Sequence, residues 1–305
     1  MIFQQTLGNK VTFSGIGLHT GKTITITLRP ADPGTGVVFH RVDLTPAVSI
    51  EAHAMNVVNT KLNTTIGNGE TTVSTIEHLM AALYGCGIDN AHIDINGPEV
   101  PIMDGSAAPF VAAIAKAGIK ESKKARKYLV VKKPVSITEG DKKASIIPSR
   151  HYKISFDLHF PHPAVKSQAR SLEFTQSNFA DEFASARTFC FLAEVEMMKA
   201  HGLALGGSLD NAIVIGDQGV LNPEGLRFQD EFVRHKILDS VGDMSLAGHR
   251  LIGHVKASKS GHDLNHKLVM ELLKRPDCYT LIEFTPQAFN APFNIALPEL
   301  SWLEA

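Results

Sequence analysis

Apolar and polar positions alternate along the first part of the chain. Over residues 23–29, Ile24, Ile26 and Leu28 are interleaved with threonines, the period-2 pattern of a strand with one buried face. Residues 36–40 (GVVFH) and 47–52 (AVSIEA) read as further short strands between turns bearing Gly and Pro. The period then changes. Ile76, Leu79, Met80 and Leu83 recur at helical spacing, and Ser74, Thr75, Ile76 and Glu77 have the form of a capping box, so a helix is predicted from Ser74 to the Gly85, Cys86, Gly87 stop. A strand at 90–95, a loop (NGPEVPIMDGS) and a second helix at 107–117, closed by Gly118, complete this half. The basic stretch 120–127 (KESKKARK) has no apolar period and reads as a linker or exposed end.

The second half repeats that order. Strands are predicted at 128–133, at 144–148 and at 152–160, where Ile154, Phe156, Leu158 and Phe160 alternate. Helical stretches at about 177–185 and 192–201, a strand at 212–217, a long helix at 229–248, a strand at 251–258, a helix at 262–274 and a strand at 278–284 follow. Strands followed by helices, twice over, predict an α+β fold of two similar domains, 1–124 and 125–305, each a sheet packed with helices. The halves share an order of elements, not a repeated sequence.

Composition narrows the function. In 305 residues, 30 Lys+Arg stand against 31 Asp+Glu, so the basic excess that phosphate-backbone binding requires is missing and nucleic acid is not expected as a partner. The three cysteines, Cys86, Cys190 and Cys278, are far apart and form no C-x-x-C, which argues against a disulfide framework and a thiolate zinc site. The start, MIFQQTLGNK, lacks the apolar core of a signal peptide, and no apolar run reaches the ~20 residues of a membrane span. The chain reads as cytoplasmic; an oligomer is not implied and a monomer is expected. Fourteen histidines remain as the unusual feature.

Some of them stand in suggestive company. His235 and Asp239 are four apart in the long predicted helix, with Asp243 one turn further, so all three lie near one face. Imidazole and carboxylate at this spacing can reach one metal ion; they can equally form an i,i+4 ion pair on a solvated face. His78 lies in the first helix beside Glu77. Adjacent helical residues point about 100° apart, so one can bind a metal while the other reaches a water; Glu77 can also be only the capping acid. His262 opens a helix after the irregular segment containing Lys259 and suits a general acid, or merely decorates the first turn. SGIGLHTGK (14–22), which contains His19, matches neither common phosphate-loop spacing. The consecutive glycines of 203–214 suit a close backbone approach or an open groove.

Taken in order, GLHTGK, STIEHLMAAL, PIMDGSAAPF, ARTF, GGS, NPEGLRF, VRHKILDSVGD and KSGH give the chain a resemblance, over nearly its whole length except about 286–305, to the UDP-3-O-acyl-N-acetylglucosamine deacetylases, the zinc amidases of lipid A biosynthesis. The resemblance implies a cleft between the two domains and a Zn²⁺ held by His78, His235 and Asp239. It implies Glu77 as general base, His262 as general acid, Asp243 as support for His262, and Thr188 as a hydroxyl beside the attacked carbonyl. Lys236 matches a substrate-binding lysine, and Phe160 and Lys259 contacts to the nucleotide end. Phe189, Leu192, Val195, Gly207, Ser208 and Val214 match the lining of an apolar passage for the acyl chain. The implied substrate is a UDP-linked acylated N-acetylglucosamine, cleaved by a water activated at the zinc. A non-catalytic metal-stabilised scaffold and a hydrolase of altered substrate are the competing readings.

Overall fold

The computed structural model describes residues 2–284. Its first sheet has five strands in the order Val11–Ile16, Thr23–Pro30, Ala91–Ile95, Val37–Arg41, Val48–Glu51. The alternation seen in the sequence sets its faces: Ile24, Ile26 and Leu28 are buried while their threonine neighbours face outward or sit at the edge. Two helices accompany this sheet, α1 (Glu77–Gly85) and α2 (Ala108–Ala117). A three-stranded sheet of Val57–Asn59, Thr65–Asn68 and Thr71–Val73 precedes α1.

The second half is built on seven strands. Val135–Glu139, Lys142–Ile147, Arg250–Ser258, Lys127–Val131 and Tyr279–Glu283 follow one another, and Tyr152–His159 pairs with Arg250–Ser258 and with Ser167–Glu173. The helices of this half are α3 (Gln176–Glu182), α4 (Leu192–Ala200), α5 (Glu231–Ser245) and α6 (His262–Leu273). Helix α5 lies on the strands at 152–159 and 167–173, and α6 on those at 135–139 and 142–147. A small three-stranded sheet joins Phe189–Phe191, Ile213–Gly216 and Gly219–Val220, with α4 against it.

Helices α1 and α5 pack directly on each other, which brings the two halves together. Every residue of α1 is buried. Gly242 of α5 makes the approach possible, since a Cβ there would lie 2.1 Å from the backbone oxygen of Glu77.

Two local expectations are corrected. The helix does not start at Ser74, and no capping box forms: Thr75 takes a left-handed conformation (φ 58°), turns the chain sharply, and leaves Glu77 as the first helical residue. The Ser74 hydroxyl instead donates to the Pro98 carbonyl at 3.2 Å. The basic stretch 120–127 is not a linker coil. Ile119–Ala125 is a strand paired antiparallel with Phe3–Leu7. A two-stranded ribbon with most side chains in solvent needs no apolar period, which is why the sequence pattern hides it. Lys127–Val131 then joins the second sheet, so the chain crosses between halves at Arg126.

Candidate active site

The first turn of α1 supplies Glu77 and His78. Leu79, Met80 and Leu83 sink into the core, and Gly87 (φ 83°) reverses the chain after the last turn. Opposite, α5 buries Phe232, Val233, Ile237, Leu238 and Val241, and presents His235, Asp239 and Asp243 toward α1. Helix α6 enters from the side, fixed by Leu264, Leu268, Val269 and Leu272, with His262 in its first turn. Glu77, His78, His235, Asp239 and Asp243 are all buried to 4% exposure or less, so this is no solvated ion-pair face.

His78, His235 and Asp239 form a group whose candidate ligand atoms all lie within 4.8 Å of one another. Oδ1 of Asp239 is 3.5 Å from Nε2 of His78 and 3.2 Å from Nε2 of His235, and it is buried without a hydrogen-bond partner among the described residues. Nδ1 of His235 lies 3.0 Å from the Ala186 carbonyl. A carbonyl can only accept, so Nδ1 carries the proton and Nε2 keeps its lone pair toward Asp239. Burial, opposed by Asp239 and reinforced by His78 and Lys236, pushes the His235 imidazole down to about 3. It is therefore neutral, the form that binds metal. Burial works against ionisation of Asp239, but His235 and Lys236 outweigh it and hold the carboxyl well below the usual carboxylate range. A buried carboxylate oxygen that lies between two imidazole Nε2 atoms and has no hydrogen-bond donor of its own among the described residues is a set that a cation completes.

Around this set stand two proton-carrying groups. Oε2 of Glu77 accepts the backbone N–H of Thr64 at 3.0 Å, and its Oε1 is 4.0 Å from Nε2 of His262. Burial raises the Glu77 carboxyl, against the pull of His262 and His78. His262 donates through Nδ1 to Oδ2 of Asp243 at 3.0 Å. Burial lowers its imidazole, but Asp243 above all, then Glu77 and Asp239, carry it up to about 9. A carboxylate with an affinity for protons and an imidazolium thus face each other across the cluster.

The remaining predicted residues lie at increasing distance. Lys236 donates to Oδ2 of Asp239 at 2.8 Å, and its ammonium lies 5.7 Å from the centre of the Phe189 ring. Phe189 stands edge-on to His235 (6.3 Å between ring centres) and to Phe160 (6.0 Å). Thr188 is half-buried; its backbone N–H donates to Gly105 and its carbonyl accepts from Ile213, both at 2.8 Å. Leu192 and Val195 lie on α4, which buries none of its residues, and Val214 on the strand beneath it. Gly207 and Ser208 belong to the loop that packs on residues 16–18; a Cβ on the adjacent Gly206 would lie 2.3 Å from the Gly17 oxygen. The glycines of this loop thus do serve a close backbone approach. Lys259, in a left-handed conformation (φ 51°), pairs with Asp141 near the end of the second sheet and makes no contact with the metal-ready group. His19 joins that loop contact as an acceptor, its carbonyl from the Leu205 N–H (3.3 Å) and its Nδ1 from the Ala204 N–H (3.4 Å), while its own backbone N–H donates to Glu99 at 2.8 Å; His159 pairs with Ser167.

Three partners were not legible beforehand: Thr64, Ala186 and Asn265, whose Nδ2 donates to Oδ2 of Asp243 at 2.9 Å. Two act through backbone groups, the Thr64 N–H and the Ala186 carbonyl, and no residue type announces a backbone donor or acceptor. A cavity of about 390 Å³ near the other end of α1, lined by Met80, Leu83, Tyr84 and Arg250, lies apart from this chemistry.

A buried two-histidine, one-carboxylate set between two α+β halves, flanked by a buried carboxyl and a cationic imidazole, fits the class of metal-dependent hydrolases. Comparison with known proteins narrows the class. Residues 4–274 match the LpxC family, described as UDP-3-O-acyl N-acetylglycosamine deacetylase. Proteins named UDP-3-O-acyl-N-acetylglucosamine deacetylase are 85% identical over 305 residues in Geobacter sp. strain M21, with both chains covered in full, and 66% identical over 306 residues in Geotalea uraniireducens, again in full. One from Myxococcus xanthus is 53% identical over 279 residues, 92% of this chain and 89% of that one. The chain belongs to the UDP-3-O-acyl N-acetylglycosamine deacetylase family, and is an amide-hydrolysing enzyme of lipid A biosynthesis.

Proposed function

We propose that the protein hydrolyses the N-acetyl group of UDP-3-O-(hydroxyacyl)-N-acetylglucosamine, releasing acetate, at a zinc ion held by His78, His235 and Asp239. The observation that carries the site is the unpartnered, buried Oδ1 of Asp239 between two imidazole Nε2 atoms. The cluster has three members among the described residues, which suits a catalytic ion with an open position better than a closed structural site. When bound there, zinc would lower the pKa of a water toward ~7 and polarise the acetyl carbonyl.

The chain's own groups move the protons. Glu77 takes the proton of the attacking water at Oε1, the oxygen that faces His262, while Oε2 is held by the Thr64 N–H. Its raised proton affinity suits a base that must hold that proton. His262 delivers a proton from Nε2 to the leaving amine, while Asp243 holds its Nδ1–H and favours the cation. Thr188 donates its hydroxyl to the developing oxyanion. Lys236 binds substrate beside Phe189; Phe160 and Lys259 contact the nucleotide end. Phe189, Leu192, Val195, Gly207, Ser208 and Val214 line the path of the acyl chain, where each buried CH₂ contributes about 0.8 kcal/mol. The division at 124/125 is supported by the change of strand partners at Arg126. Action in the cytoplasm, as a monomer, completes the reading; the three free cysteines suit a reducing compartment. No helix among the described residues is long and apolar enough to cross a membrane.

Acetate release from the acylated UDP-sugar, measured with and without a chelator, tests the reading. We expect release by protein carrying about one zinc per chain, loss with the chelator and recovery on adding zinc. A folded, metal-saturated preparation that leaves the substrate intact overturns it.

A further inference from the structure

Thr64 lies in the short link between Val57–Asn59 and Thr65–Asn68, and is 1% exposed. It makes three contacts to groups of the site at once. Its backbone N–H donates to Oε2 of Glu77 at 3.0 Å. Its carbonyl accepts the N–H of Ile76, the residue before α1, at 3.3 Å. Its hydroxyl donates to Oδ1 of Asp243 at 2.6 Å and lies 3.3 Å from Nδ1 of His262. Glu77 and Asp243 sit on different helices in different halves of the chain, and nothing else among the described hydrogen bonds joins both.

We propose that Thr64 is a positioning residue that fixes the separation of the two proton-transfer groups, holding Glu77 through its backbone and the Asp243–His262 pair through its hydroxyl. The inference rests on the roles proposed above for Glu77 and His262. Asp243 receives three donors, from Thr64, His262 and Asn265, which leaves its carboxylate one orientation. With Nδ1 of His262 held there, Nε2 must point back to Glu77 and Asp239, each 4.0 Å away. The same residue binds Oε2 of Glu77 and so turns Oε1, the oxygen nearer His262, toward the work of the base. Two groups that must act in succession on one amide are thereby tied to one peptide unit. Hydrolysis is sensitive to such spacing, since a misplacement of about 1 Å can cost on the order of 100-fold in rate. A side chain that only filled space here would be indifferent to its hydroxyl, and Val would replace Thr with nearly the same shape.

The test compares Thr64→Val with Thr64→Ser in the zinc-loaded full chain. For Thr64→Val we expect kcat to fall on the order of 10- to 100-fold with KM within about threefold, and zinc content unchanged. Thr64→Ser, which keeps the hydroxyl, should recover kcat to within about threefold. In a His262→Gln background, Thr64→Val should cost less than about threefold more, because the two changes act on one unit. A readout independent of turnover is the Nδ1–H resonance of His262 in the metal-free protein. It should be sharp in wild type and Thr64→Ser and broadened by exchange in Thr64→Val. Native kcat in Thr64→Val, a loss of zinc, or full additivity with His262→Gln overturns the proposal. Should Thr64→Val not fold, Thr64→Ala is read the same way, and failure of Thr64→Ser to retain kcat is itself contrary. An inactive but folded and metal-loaded wild type refutes the proposed function instead, so the two failures are distinguishable.

Discussion

Asp243 and His262 show how single groups acquire their chemistry. In the metal-free protein Asp243, Glu77 and Asp239 overcome burial and carry His262 up to about 9, against about 6.5 in an unfolded chain. The folded state holds that proton more tightly, so the contribution is fully present below about pH 6.5 and is lost as pH rises through about 9. Its size is on the order of 3 kcal/mol. Urea denaturation of metal-free protein should therefore show stability falling across this window, and His262→Gln should flatten the fall; a flat wild-type profile contradicts it. Metal binding and turnover separate at the same scale. His235→Ala should lower zinc content, because it removes a neutral ligand and strands Asp239. Glu77→Gln should keep zinc but reduce kcat by roughly 10²–10⁴-fold. Metal analysis beside a rate assay decides both, and a near-native rate in Glu77→Gln removes the base from the mechanism. The pairing of His235 with Asp239 was visible as an i,i+4 spacing, but spacing left the solvated ion pair open. Their burial at 1% and 3% closed that question.

At the scale of elements, the site is a consequence of how closely α1 and α5 approach. Gly242 makes that distance possible. A methyl group there would stand 2.1 Å from the Glu77 oxygen, and overpacking of this kind costs about 1–3 kcal/mol. Gly242→Ala should lower the melting temperature and weaken zinc binding together, since His78 on α1 must move away from His235 and Asp239 on α5. Unchanged metal affinity in that variant would show that the helices adjust without disturbing the set. Most elements were legible from period alone. The strand of Ile24, Ile26 and Leu28 and the helix of Leu264, Leu268 and Leu272 bury the faces their spacing indicates. The start of α1 was not, because the left-handed Thr75 overrides an apparent capping box. The strand 119–125 was not, because its partner 3–7 lies over a hundred residues away and its side chains remain mostly in solvent.

Across the whole molecule, Asp89 ties the first half to the crossing point and to the second half. It pairs with Arg126 at 2.6 Å and with Arg250 at 3.3 Å, and Arg250 lies 4.1 Å from the centre of the Tyr84 ring. Removing the carboxylate leaves two largely buried guanidinium groups unpaired, a loss of about 3–5 kcal/mol. Asp89→Ala should therefore unfold at clearly lower urea, with the metal set itself unaltered in composition. An unchanged midpoint would show that the seam rests on α1 and α5 alone. By itself the sequence determined the class of fold, the order of strands and helices, and a short set of acids and imidazoles able to bind metal and move protons. These follow from local periodicity and from residue type, which are properties of neighbours in the chain. Only the tertiary structure decided which of those groups meet. His78, Asp239 and His262 come from three helices spread over nearly two hundred residues, and their proton affinities arise from burial and mutual charge that exist only after the helices have packed.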